Sequence, residues 1–194
     1  MQTRLLWHRL SSWVRPQDPS EIAEALGALQ RTRVLRHLTE AERRELAYAG
    51  HFRRFSPQEV IHYQGDPGLG LYLITRGVVE LLVQTPVGMQ DVATLGVGQF
   101  FGELTLFGPY RRLFTAVAAE EVHALCLFRP DLEALRSRQP ALAAKLYAGL
   151  AEHLAAQLVL LLQGLQETQG TLSALQTLLR VWMDADAYGE GMDR

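Results

Sequence analysis

Between Gly50 and Phe128 glycine and proline cut the chain into apolar runs too short for helices, and this punctuation constrains the fold most. Residues 51–55, 60–63, 71–75, 78–84, 90–95, 115–118 and 122–128 are the candidate strands. They recur at a spacing of roughly 8–12 residues, the rhythm of an all-β sandwich or barrel. Asp66-Pro67-Gly68, Arg76-Gly77, Pro86-Val87-Gly88 and Gly96-Val97-Gly98 supply turns between them. The pattern predicts a jelly roll of about eight strands. With 48% hydrophobic and 21% charged residues the chain can bury such a core, which excludes disorder as its overall state.

The flanks are helical. Asp18-Pro19-Ser20-Glu21 reads as a capping box in which Asp18 caps, Pro19 takes the first helical position and Glu21 reaches back. Thr39-Glu40-Ala41-Glu42 repeats the signal for a helix running to about Ala49. After Pro140 the chain holds no further proline, and Ala151, Leu158, Leu165, Leu172 and Leu179 recur every seven residues. Tyr147, Leu154, Leu161, Thr168, Leu175 and Trp182 recur in the complementary position, giving the a and d seam of a coiled coil. A helix over residues 141–184 would be about 66 Å long, and its seam is expected to pair with a second chain. Gly170 leaves two forms open: a continuous or bent helix, or an end at Gly170 and a new start at Thr171. The expected organisation is a basic amphipathic arm over 1–17, a β domain over 18–138, the long helix over 139–184 and a tail over 185–194.

Composition narrows the function. Nineteen basic against 21 acidic residues, a formal net charge of -2, argue against a nucleic-acid binder. From Gln139 onward only Lys145, Arg180 and Arg194 are basic, so no helix-turn-helix output domain is expected there. The single cysteine, Cys126, excludes an internal disulfide framework and reads as an inert buried thiol. No uninterrupted apolar run reaches the roughly 20 residues of a membrane span, and the expected location is the cytoplasm. The arm over 1–17, with Arg4, Arg9, Arg15, Trp7 and Trp13, reads as packing across its own dimer or touching a partner or membrane surface. Six scattered histidines form no His-x-His pair, so no metal site is expected, and His62 and His123 read as strand-surface or satisfied core residues. Arg43-Arg44 and Arg53-Arg54 read as solvated faces, and no catalytic constellation is visible.

The chemistry concentrates in residues 98–107, Gly-Gln-Phe-Phe-Gly-Glu-Leu-Thr-Leu-Phe, with Arg111 and Arg112 shortly after. Glu103 stands alone among apolar residues. A guanidinium beside a row of backbone N–H groups makes an anion site, and a carboxylate nearby can accept from a sugar hydroxyl. A capped turn with two surface arginines fits the same residues.

The order of these parts resembles the cyclic-nucleotide-binding domain of the catabolite-activator and cAMP-dependent-kinase regulatory family. The resemblance rests on Val34-Leu35-Arg36-His37-Leu38-Thr39, on Phe55-Ser56-Pro57-Gln58-Glu59-Val60-Ile61 with Gly65-Asp66, on Leu71-Tyr72-Leu73-Ile74 with Gly77-Val78-Val79, and on residues 98–106. It covers about residues 34–162. It implies an α+β fold: a β jelly roll with short N-terminal helices and a long C-terminal dimerisation helix carrying Leu154, Leu158, Leu161, Leu165, Leu172, Leu175 and Leu179. It also implies ligand contacts from Gly102 and Leu104 through the backbone, from Glu103 to a ribose hydroxyl and from Arg112 to a cyclic phosphate. Thr115 is a further candidate for its hydroxyl, although its position matches a strand residue of the family rather than a phosphate contact. Binders in this family follow the arginine with small residues, whereas here Leu113 and Phe114 follow.

Two functions remain open on that basis. One is a non-enzymatic, stand-alone homodimeric sensor of cAMP or another cyclic nucleotide, without cofactor, whose output passes through its helices to an unknown protein partner. The other is a dimeric scaffold in which Leu113 and Phe114 fill the pocket and the N-terminal arm carries the partner or membrane contact.

Overall fold

A computed structural model of the chain describes residues 18–190, with side chains described to residue 180. The arm expected over 1–17, the tail beyond 190 and the side chain of Trp182 lie outside the described residues. The chain forms two compact units that divide between Leu146 and Tyr147.

The first unit opens with α1 (Pro19–Arg31). Asp18 caps it by accepting from the Ser20 N–H at 2.9 Å and the Ser20 hydroxyl at 2.8 Å. Glu21 does not close the expected capping box. It accepts instead from Arg54 on the first strand at 2.9 Å, because a charged guanidinium is a stronger partner than one neutral backbone N–H. A 3-10 turn (Arg33–Leu35) leads to α2 (Glu40–Ala49), whose capping box is complete. The Glu42 N–H donates to the Thr39 hydroxyl at 3.2 Å, and the Thr39 N–H donates back to Glu42 at 2.8 Å.

Eight strands follow: β1 (His51–Phe55), β2 (Val60–His62), β3 (Gly70–Arg76), β4 (Val79–Thr85), β5 (Gly88–Leu95), β6 (Phe100–Phe101), β7 (Thr115–Ala118) and β8 (Val122–Phe128). They form two antiparallel four-stranded sheets, ordered β1-β8-β3-β6 and β2-β7-β4-β5. β6 was not among the sequence candidates, since two residues show no periodicity; pairing Tyr72 with Phe101 and Leu73 with Phe100 defines it. A four-residue helix α3 (Leu104–Phe107) sits between β6 and β7. Phe55, Ile74, Val79, Leu81, Phe101, Ala116, Ala118, Val122, Ala124, Cys126 and Phe128 form the roll's interior, with Ile61, Tyr72, Leu95 and Phe114 packed on it. Cys126 is fully buried there, which pushes its thiol up to about 12 and leaves it inert as a nucleophile.

α4 (Arg129–Arg138) continues from β8, and Asp131 holds its start by accepting from the Phe128 N–H at 2.8 Å and contacting His51 at 3.0 Å. α5 (Pro140–Gln169) begins in the first unit, where Leu142, Ala143 and Leu146 are buried and Lys145 donates to Glu42 at 2.6 Å.

The second unit holds the rest of α5 and α6 (Thr171–Glu190). The helix expected over 141–184 is therefore interrupted once. Gly170 takes the left-handed conformation (φ 82°) that ends α5, and its carbonyl accepts from the Ala174 N–H at 3.1 Å to start α6. Of the expected seam, Leu158, Leu161, Leu172, Leu175 and Leu179 are exposed, and Leu154 and Leu165 are partly buried. By length and composition α5 is also apolar enough to cross a bilayer, with a mean hydropathy of 1.3 over an 18-residue window.

Candidate functional site

Two loops frame one buried cation. The turn after β2 and the segment before β7 run side by side: the Gly65 N–H donates to the Arg112 carbonyl at 2.8 Å and the Arg112 N–H to the Asp66 carbonyl at 2.9 Å. The Gly68 N–H donates to the Tyr110 carbonyl at 3.1 Å, and the Arg111 guanidinium reaches the Gly65 carbonyl at 2.7 Å. Arg111 thus spends its charge fastening the loops on the outside. Arg112, next in the chain, turns inward and is only 5% exposed.

The Arg112 guanidinium lies over the Tyr72 ring, 5.3 Å from its centroid, and donates from Nη1 to the Gly102 carbonyl at a long 3.4 Å. The Tyr72 hydroxyl is a second hydrogen-bond partner, and with five N–H donors the guanidinium still has donors to spare among the described residues. Burial lowers the proton affinity of Arg112, while Tyr72, Cys126, Glu103 and Asp66 act the other way. Arg112 stays charged, because arginine keeps its proton in proteins.

Gly102 shapes the other wall. Its φ of 83° favours glycine, and a Cβ there would collide with Arg112 Nη1 and come within 2.8 Å of the Gly70 carbonyl. The buried Thr105 hydroxyl fixes this turn by donating to the Gly102 carbonyl at 2.8 Å and the Gly70 carbonyl at 3.3 Å. Glu103 and Leu104 are partly exposed at the start of α3. The Glu103 side chain has no hydrogen bond among the described residues, and its charge contributes to the field at Arg112.

Gly102 thus lies against Arg112 and the Glu103 charge reaches it, with Leu104 next in the chain. Thr115 is buried, with its hydroxyl accepting from the Gln64 N–H at 3.0 Å. Leu113 is 57% exposed, and Phe114 packs against the core cluster.

Two contributors were not singled out as site residues from sequence. Tyr72 supplies the ring beneath Arg112, and the Asp66-Pro67-Gly68 turn was the legible sign of the framing loop. His62 departs from both expected roles, surface or satisfied: its two ring nitrogens are sealed from solvent and have no hydrogen-bond partner among the described residues. His123 is satisfied, held between Glu24 at 2.8 Å and Glu121 at 3.0 Å.

Residues 52–139 match the family described as cyclic nucleotide-binding domain. A protein of Thermus thermophilus named cyclic AMP receptor protein is 41% identical over 149 residues, which are 74% of this chain and 68% of the relative. A cAMP-dependent protein kinase regulatory subunit of Hypocrea atroviridis is 31% identical over 99 residues, 51% of this chain and 21% of that protein. Among solved structures, the N-terminal domain of a transcriptional regulator from Streptomyces coelicolor superposes with a TM-score of 0.63 at 30% identity, covering 67% of this chain and 92% of that one.

Proposed function

Because the chain belongs to the cyclic-nucleotide-binding domain family, we propose that it is a regulatory protein that senses a cyclic nucleotide, cAMP first, and signals to a partner through its C-terminal helices. The observation that carries this reading is Arg112, a charge 5% exposed whose guanidinium meets only the Gly102 carbonyl, at 3.4 Å, and the Tyr72 hydroxyl among the described residues. A buried charge in that condition is costly unless a counter-charge arrives, and a cyclic phosphate brings one together with oxygens that suit the guanidinium fork. Gly102 and Leu104 then offer backbone contacts, and Glu103, free of other hydrogen bonds, accepts from the ribose hydroxyl. Thr115 in this reading holds Gln64 and the back of the site more than it touches ligand. The names of the Thermus and Hypocrea relatives support cAMP as the first ligand to try.

The exposure of Leu113 and the seat of Phe114 on the core favour an open site over a filled one. The exposed leucines of α5 and α6 support pairing with a second copy of the chain, since paired helices bury such a seam at little cost. Calorimetric titration with cAMP, cGMP and cyclic di-GMP tests the reading. Saturable binding of cAMP, one per protomer, is expected, lost in Arg112→Ala while the oligomer persists. A folded protein silent to all three nucleotides refutes it and returns the scaffold reading, in which Leu113→Ala with Phe114→Ala would open the site.

A further inference from the structure

A second polar side chain faces the interior that holds Arg112. His62 on β2 stands opposite Ala116 of β7, and its ring packs 5.6 Å from Phe101 and 6.1 Å from Tyr72, centroid to centroid. Tyr72 is also the ring beneath the Arg112 guanidinium. Both nitrogens of His62 are sealed from solvent and neither makes a well-aligned hydrogen bond among the described residues, although backbone of Phe114, Tyr63 and His62 itself lies near the ring. A neutral imidazole has one donor and one acceptor, and such groups are rarely buried with neither used.

The surroundings of the ring answer them only weakly, through backbone of Phe114, Tyr63 and His62 that misses hydrogen-bond geometry. Phe101 is apolar and stacks on Tyr72 at 5.2 Å, and the charge that reaches the ring is that of Arg112. Asp66 and Glu103 act on Arg112 from their loops. Burial, then the Arg112 charge, pushes the His62 imidazole down to about 3, with backbone of Phe114, His62 itself and Tyr63 offsetting part of this. The ring is therefore neutral at ordinary pH and always carries one N–H.

Resting on the reading of Arg112 as the anchor of an anionic ligand, we propose that His62 is a second polar contact of that site, donating its ring N–H to an oxygen of the ligand's anionic group. A well-aligned acceptor is what the backbone beside the ring does not supply, and the anion that neutralises Arg112 brings several. The role is positioning and specificity: one donor from β2 and the fork from the loop before β7 would fix the anion from two directions.

The test is cAMP affinity in the intact protein, for wild type, His62→Gln and His62→Leu. Glutamine keeps an N–H donor, and leucine keeps bulk without one. His62→Leu is expected to bind roughly tenfold more weakly, the scale of one hydrogen bond to a charged group, and His62→Gln to recover most of that loss. In wild type, the His62 ring nitrogen resonances should move to a single tautomer with a shifted N–H when cAMP saturates the site. Wild type that binds cAMP, with His62→Leu within twofold of it and unmoved ring resonances, overturns the His62 contact and leaves the sensor reading standing. Wild type that does not bind cAMP overturns the sensor reading, and the His62 contact falls with it.

Discussion

His62 makes the ligand-free protein sensitive to acid in a way that can be predicted in size. An unfolded histidine takes up its proton near pH 6.5, whereas the folded ring holds out to about 3. Below pH 6.5 the unfolded chain therefore binds more protons than the folded one, and stability falls as pH falls, levelling off only near the folded value. A pH of 5 is 1.5 units below the unfolded pKa of 6.5, which at about 1.4 kcal/mol per unit is about 2 kcal/mol lost relative to pH 7. His62→Leu removes this cost and the two unpartnered nitrogens, so it should match or exceed wild type in stability at pH 7. Urea unfolding of both proteins at pH 7 and pH 5 isolates the effect, because every other titrating group cancels in the difference of differences. Wild type should lose about 2 kcal/mol more than the variant over that interval. An excess loss under about 0.5 kcal/mol would show that His62 is protonated or solvated in the fold, and the argument from burial would fail.

Gly102→Ala should cost about 1–2 kcal/mol from the left-handed backbone alone and also displace Arg112, so thermal melting and cAMP titration should both register it. His51 behaves oppositely to His62: its contact with Asp131 raises its pKa, so the stability it contributes is fully present below about pH 6.5 and is lost as pH rises through the folded value. Asp131→Asn, which keeps an oxygen for the Phe128 N–H, should remove that dependence, and unfolding midpoints between pH 6 and pH 8 would report it. Leu125→Ala empties a fully buried position on β8 and should cost about 2–5 kcal/mol by denaturant unfolding. Leu158→Asp with Leu161→Asp should turn a dimer into a monomer in sedimentation while leaving the roll folded; an unchanged sedimentation coefficient would place the pairing surface elsewhere.

The β elements were legible because their signals are local. Candidate strands 51–55, 115–118 and 122–128 coincide with β1, β7 and β8, since glycine turns and β-branched runs act within a few residues. The Thr39 capping box forms as read for the same reason. The Asp18 box was read from an equally local pattern and failed in half, because Arg54, 33 residues away, competes for Glu21. β6 escaped because it exists only through its partner β3. At Gly170 the sequence left a continuous or bent helix and a break both open, favouring the former, and the left-handed conformation there decides for the break.

The site divides along the same line. From the sequence alone came the turn around Gly102 and Glu103 and the pair Arg111-Arg112, chemistry at a readable spacing. The resemblance singled out Arg112 by its distance from Glu103, but what turns it inward was not in that spacing. Arg111 bonds the Gly65 carbonyl and Arg112 enters the roll because the loop at 65–68 pairs with the segment at 110–112, a contact between distant stretches of chain. His62 is decided in the same way. Strict alternation would send Ile61 and His62 to opposite faces, but the register of β2 on β7 shifts between Val60 and His62, and both side chains meet the interior. Local sequence determines where strands and turns begin because those preferences act over a few bonds. Burial and partnership belong to the tertiary structure, because they depend on what the rest of the chain brings to the same point.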